Sequence, residues 1–128
     1  TPQKLFLMAG INDVSHDLST DSVVSLITKV IEKIQTESPR TKLYIQSLLP
    51  INESFGRYKT MIGKTDLIPE INRKLEALAK EKKISFIHLF PLFTEKNSNV
   101  MRKELTTDGL HLTEEGYRIW SKALKRYL

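Results

Sequence analysis

Three short apolar runs, Lys4–Ala9, Lys42–Leu48 and Ile84–Leu89, alternate with longer stretches whose apolar residues recur every three or four positions. No other feature restricts the fold as much. An apolar run of that length, stopped by Gly10 in the first case and followed by Pro50 in the second, reads as a buried strand. Between the first two runs, a polar loop leads to Ser19 and Thr20, which can cap a helix starting near Asp21. That helix carries Val23, Val24, Ile27, Val30, Ile31 and Ile34 on one stripe until Pro39 closes it. A second helix is expected over 66–82, with Ile68, Ile71, Leu75, Leu78 and Ala79 facing inward. A third follows Thr113 and is expected to bury Tyr117, Trp120, Leu124 and Leu128. The segment Ile51–Gly63 has no clear period and is expected to be a long loop over one end of the sheet.

Strands that alternate with helices pair in parallel through right-handed crossovers, so the fold class is α/β. Three strands make a thin sheet for that architecture. The first is among the most apolar, which suits an interior position better than an open edge. Further strands are therefore expected beside it.

At 128 residues the chain has room for one domain, and 40% hydrophobic with 27% charged residues is an ordinary globular composition. No apolar stretch approaches the roughly 20 residues of a membrane-spanning helix. The absence of cysteine excludes disulfides, thiolate catalysis and zinc–thiolate sites. The net charge of +5 raises the question of nucleic acid. Yet Lys29, Lys33, Lys80, Lys82, Lys83, Lys122, Lys125 and Arg126 fall on helices, with no interleaved aromatic residues to stack bases, as in a solvated helical face. No nucleic-acid partner is expected. Thr1-Pro2-Gln3-Lys4 leads straight into the first apolar run, with neither an initiator Met nor a charged leader, as the start of a fragment or a processed chain would.

Ligands of open α/β sheets sit beyond the carboxyl ends of the strands. Gly10-Ile11-Asn12-Asp13 follows the first strand, Gln46, Ser47 and Asn52 lie at or past the end of the second, and Asp108-Gly109-Leu110-His111 precedes the last helix. Asp108 and His111, three apart across a glycine turn, can pair so that the carboxylate fixes one imidazole nitrogen and leaves the other as a general base. Equally, the motif can be a plain turn before a capped helix, with His111 on the surface. Asn12 can bond its own turn, or aim its amide into the crevice as an oxyanion donor, a role whose loss typically raises a barrier by about 3–4 kcal/mol. Gly10, Asp13, Gln46 and Asn52 are weaker candidates for the pocket around them. His16 reads as solvated loop or pocket mouth, His88 as an interior or crevice-edge residue, and Phe55, Tyr58 and Met61 as pocket or plain packing. Ser15 and Ser47 are the serines nearest the crevice, and neither sits on a strand-to-helix elbow.

Taken together, Gly10-x-Asn12-Asp13 after the first strand and Asp108-Gly109-x-His111 with Gly116 before the last helix resemble two blocks of the SGNH, or GDSL-type, family of lipases and acylhydrolases. Ser38–Pro50 is also similar to bacterial members, and the likeness runs over essentially the whole chain. The resemblance implies a three-layer α/β/α domain with a parallel, flavodoxin-like sheet, of which this chain is the C-terminal portion: the last three strands and helices. It implies ester hydrolysis, with His111 as base, Asp108 as its acid and Asn12 in the oxyanion hole, on a small-molecule or glycan ester, without cofactor or metal. A periplasmic or secreted setting fits it better than the cytoplasm. The family's Gly-Asp-Ser block, which supplies the nucleophile, has no counterpart here. By that reading the chain alone is inactive, and the first strand, central in the family's sheet, pairs along Lys4–Ala9 with a missing N-terminal segment or a second chain. The alternative is a non-catalytic module that keeps the fold to bind a glycan or a protein.

Overall fold

The computed structural model describes residues 3–128; Thr1 and Pro2 lie outside the described residues. In chain order the elements are β1 (Lys4–Leu7), α1 (Ile11–Ser15), α2 (Thr20–Glu37), β2 (Lys42–Gln46), α3 (Leu67–Glu81), β3 (Ser85–Ile87) and α4 (Glu114–Leu124), joined by short 3₁₀ turns. The strands form one parallel sheet in the order β1-β2-β3. Leu5 stands opposite Leu43, Phe6 opposite Tyr44 and Leu7 opposite Ile45, and on the far side Ile45 meets Phe86. The fold is α/β, as expected, with each strand shorter than its apolar run.

Side chains alternate across a strand, and the core divides accordingly. Leu5, Leu7, Leu43, Ile45 and Phe86 pack with α2 and α3, through Val23, Ile27, Ile31, Ile71 and Leu75. Phe6, Tyr44 and Ile87 point the other way, onto Phe93, Met101, Leu105 and the Ile119, Trp120, Ala123 and Leu124 face of α4. Two apolar layers with helices outside them give three tiers. Each buried Leu, Ile or Phe adds roughly 1.5–3 kcal/mol.

The helix starts follow local chemistry. Ser19 Oγ accepts from the Ser22 amide at 3.1 Å to open α2, and Thr113 Oγ1 accepts from Gly116 at 3.3 Å to open α4. The inner face expected of α3 is buried at all five positions. In α2 the stripe centres on Val23, Ile27 and Ile31, leaving Val30 43% exposed. The expected face of α4 needs correction: Tyr117 and Leu128 are 54% and 77% exposed. The helix turns Ile119, Ala123 and the following Tyr127 inward beside Trp120 and Leu124, and Tyr117 stacks outside on Trp120 at 6.2 Å. The segment after Gly10 is not a loop but α1, whose five residues are too few to show a period.

β1 and β2 differ in environment. In β2 every residue from Leu43 to Gln46 is buried, whereas Leu5, Phe6 and Leu7 are only half-buried. Among the described residues β1 pairs with β2 alone, so its other edge presents unpaired backbone groups beside apolar side chains.

The carboxyl ends of the strands are tied down by polar side chains. Ser47 Oγ accepts from the amides of Leu89 and Phe90, both at 3.0 Å, joining the exits of β2 and β3. Asn72 on α3 accepts from the Leu48 amide at 2.7 Å and donates to its carbonyl at 3.1 Å, satisfying the backbone where the ladder stops. The site described next stands on this fixed rim.

Candidate active site

Asp108 and His111 meet in a closed turn. Thr106 Oγ1 accepts from the Gly109 amide at 2.9 Å and donates to the His111 carbonyl at 2.6 Å, and Thr106 bridges Leu112. Within it, Asp108 Oδ1 accepts from the amides of Leu110 (2.9 Å) and His111 (2.7 Å), while Oδ2 lies 2.7 Å from His111 Nδ1. A carboxylate has no proton to give, so Nδ1 donates and Nε2 is left as the unprotonated nitrogen of the neutral ring.

The Asp108 side chain is 20% exposed and that of His111 is 63% exposed. Burial raises the Asp108 pKa, but the His111 amide, the His111 ring, the Leu110 amide and the Tyr58 hydroxyl together outweigh it and hold the carboxyl well below the usual carboxylate range. The acid therefore stays ionised opposite any imidazolium that forms.

Two contacts bring the turn to the strand ends. The Asn52 amide donates to the Gly109 carbonyl at 2.8 Å, and Gly109 adopts a φ of +95°. A Cβ at Gly109 would fall inside the van der Waals envelope of the Asn52 carbonyl and lie 3.3 Å from Phe55 Cβ, so only glycine allows this approach.

Across from His111 stands α1. Gly10, at φ +121°, packs so closely under Val23 that a Cβ would sit 3.0 Å from its Cγ1, and the chain turns directly from β1 into the helix. The exposed Asn12 in the first turn of α1 and His111 line one hollow of about 260 Å³. Its other walls are apolar, including Met8, Ile11, Leu48, Leu49 and Leu110. Lys64 secures the far end of α1. This buried ammonium donates to the carbonyls of Val14 (2.7 Å) and Ser15 (3.3 Å) and pairs with Asp17 at 2.6 Å.

The remaining residues singled out in the sequence lie elsewhere. Asp13 is half-buried on α1, beside Asn12 but outside the lining of the hollow. Gln46 is buried facing α4, where its Oε1 accepts from Trp120 Nε1 at 2.7 Å. Asn52 is buried too, its side-chain Nδ2 donating to the Met101 carbonyl at 2.9 Å and its Oδ1 accepting from the Ser54 amide at 3.0 Å. Neither lines the hollow shared by Asn12 and His111. Ser47 is wholly buried and Ser15 bonds Thr60 Oγ1 at 2.7 Å. His16 is exposed at the end of α1. His88 is exposed and stacks on Phe86 at 5.7 Å, instead of lying inside. Among the described residues no three His, Asp or Glu side chains are placed to hold a metal ion, and no helix is long and apolar enough to cross a membrane.

One contact to the dyad comes from a residue that sequence reasoning left between pocket and packing. Tyr58 donates its hydroxyl to Asp108 Oδ2 at 3.0 Å and lies 3.3 Å from His111 Nδ1. Fifty residues separate it from Asp108, and no spacing rule links them. Its only signal was a hydroxylated aromatic in a segment without a period.

The arrangement offers a general base with a fixed proton, an ionised acid behind it and a neutral amide across an apolar hollow. No curated protein matches the chain. Solved structures do. A structure from Streptococcus pneumonia described as a candidate platelet activating factor is 31% identical with a TM-score of 0.89, covering 98% of this chain and 59% of that one. A GDSL-like lipase from Bacteroides thetaiotaomicron is 26% identical with a TM-score of 0.85, covering 98% and 62%. An acetyl xylan esterase is 25% identical with a TM-score of 0.72, covering 99% and 67%. The chain thus spans about three fifths of the length of the first two. The model of the GDSL-like lipase/acylhydrolase family matches residues 1–119, and the chain belongs to that family.

Proposed function

We propose that the chain supplies the acid, the base and an oxyanion-hole donor to a Ser-His-Asp ester hydrolase whose serine comes from outside these 128 residues. The observation that carries this reading is the 2.7 Å contact between Asp108 Oδ2 and His111 Nδ1, on a ring that shares its hollow with Asn12. Family membership supports the reaction class, and the lack of any Gly-Asp-Ser triplet supports an external nucleophile.

The serine oxygen attacks the ester carbonyl while His111 Nε2 takes its proton, and Asp108 steadies the imidazolium. The carbonyl oxygen, now an anion, accepts from the Asn12 amide. As the tetrahedral intermediate collapses, the C–O bond to the alcohol breaks and His111 returns the proton to that oxygen. Water then attacks the acyl-serine with His111 again as base; the acyl–Oγ bond breaks, His111 returns the proton to the serine oxygen, and the carboxylic acid leaves. Gly10 serves by letting the chain turn directly from β1 into α1. The apolar hollow supports a short acyl chain or an acetyl group on a carbohydrate as the group transferred. The open edge of β1 supports pairing of the serine-bearing segment along Lys4–Ala9.

The test is turnover of p-nitrophenyl acetate by the chain with a family Gly-Asp-Ser segment fused ahead of it or added as a second polypeptide. Turnover should appear and should fall by about a thousandfold or more in His111→Ala. Background turnover in both arrangements, with ligand affinity unchanged by His111→Ala, would instead favour a non-catalytic binding module.

A further inference from the structure

Asp108 Oδ2 receives two donors, and the mechanism above uses only one of them. Its Oδ1 is anchored by two backbone amides, whereas the imidazole facing Oδ2 is 63% exposed and rests within the turn on the Oδ2–Nδ1 bond.

Tyr58 adds a second hold from outside the turn. The 2.7 Å separation of Nδ1 and Oδ2 requires the proton on Nδ1, so the Tyr58 hydroxyl cannot donate to that nitrogen and must donate to Oδ2. With it, the carboxylate has four donors for its roughly four lone-pair sites. The phenol ring meanwhile stands edge-on to the imidazole, with centroids 5.9 Å apart, and Arg57 covers the phenol at 5.1 Å. The segment that delivers Tyr58 is pinned at both ends. Asn52 bonds Met101 and Gly109 at the start, and Glu53 accepts from the amides of Gly63 (2.7 Å) and Thr65 (3.0 Å) at the finish. Consistent with the hydroxyl–carboxylate bond, Asp108 raises the Tyr58 phenol pKa above its ordinary value, against a smaller opposing effect of Arg57.

We infer that Tyr58 is a positioning residue which, by donating to Asp108 Oδ2 and flanking the imidazole, keeps His111 in the tautomer that leaves Nε2 free as the base. The inference rests on the acyl-transfer reading of the Asp108–His111 pair. It concerns the ground state of this chain, so it can be tested without the nucleophile.

The experiment is a long-range ¹H–¹⁵N correlation spectrum of the histidine rings in the 128-residue chain at a pH where they are neutral. The His111 signals are identified by their loss in His111→Gln. His111 should be mainly the Nδ1–H form, and Tyr58→Phe, which keeps the ring, should shift its tautomer ratio toward Nε2–H by about threefold to tenfold. His16 and His88 should not change. An unchanged ratio in Tyr58→Phe overturns the positioning role while leaving the dyad intact. A wild-type His111 already in the Nε2–H form would instead sink the dyad reading itself. Should Tyr58→Phe fold poorly, titration of the phenol gives the answer without altering it: the elevated midpoint should drop toward the ordinary tyrosine value in Asp108→Asn. An identical midpoint in that variant also overturns the proposal.

Discussion

Gly109→Ala isolates the contact that brings the acid–base turn to the sheet. At φ +95° an alanine suffers the left-handed penalty of about 1–2 kcal/mol. It also meets an obstacle that cannot rotate away, because the clashing atom is the backbone carbonyl of Asn52. The turn must lift, and the 2.8 Å bond from the Asn52 amide to the Gly109 carbonyl goes with it, for about 1 kcal/mol net. Together these come to about 2–3 kcal/mol. With a urea slope of about 2 kcal/mol per molar, the unfolding midpoint should fall by about 1–1.5 M. Gly56→Ala is the matched control. Its φ is +65° and nothing lies within 4 Å of where the alanine methyl would stand, so it carries the conformational penalty without the clash. Urea melts of both variants by circular dichroism decide the matter. Equal shifts would refute the claim that close approach to Asn52 is what position 109 demands.

Two further outcomes follow from charged groups. Asp108 is held below the carboxylate range by its donors, and Glu53 by the Gly63 amide first and then by Thr65. Groups depressed in the fold add stability that is complete above their unfolded values near about 4 and is lost as pH falls toward the folded ones. Asp108→Asn should therefore flatten the acid limb of the urea midpoint measured from pH 7 to pH 2.5; an equally steep limb would contradict the assignment. Lys64→Met takes a charged donor from the Val14 carbonyl, which keeps the Asp17 amide, and from the part-buried Ser15 carbonyl, at about 1–3 kcal/mol by urea melt. Lys74→Met, whose partner Asp21 is 88% exposed, should shift the same melt less than Lys64→Met does.

Much of this fold is legible where one physical rule acts alone. Ile68, Ile71, Leu75, Leu78 and Ala79 recur at helical spacing and all are buried, because α3 lies fully against the sheet. Ser19 and Thr113 mark helix starts, because an unpaired amide at a helix end needs a nearby oxygen. Legibility fails where partners are distant in sequence. Gln46 sits at a strand end, where ligand-binding groups gather, yet its amide meets Trp120, a tie no local pattern announces. Tyr58 is invisible as a partner of Asp108 for the same reason. In α4 the aromatic Tyr117 fits the apolar period, but the stripe facing Phe93 and Leu105 runs through Ile119 and Ala123, and the helix rotates to suit it. Of the site, Asp108 and His111 were readable because both fall in one short turn. The approach of Asn12 depends on α1, whose five residues are below the length at which periodicity speaks.

That turn has a mechanical meaning. Thr106 to Leu112 closes on itself through Thr106, so carboxylate and imidazole are carried by seven neighbouring positions, with Tyr58 bracing them from outside. The gap between imidazole and Asn12 instead accumulates tolerance along β1, α1 and the strand beside them. Flexing of the sheet would widen the cleft long before it disturbed the bond between Asp108 and His111.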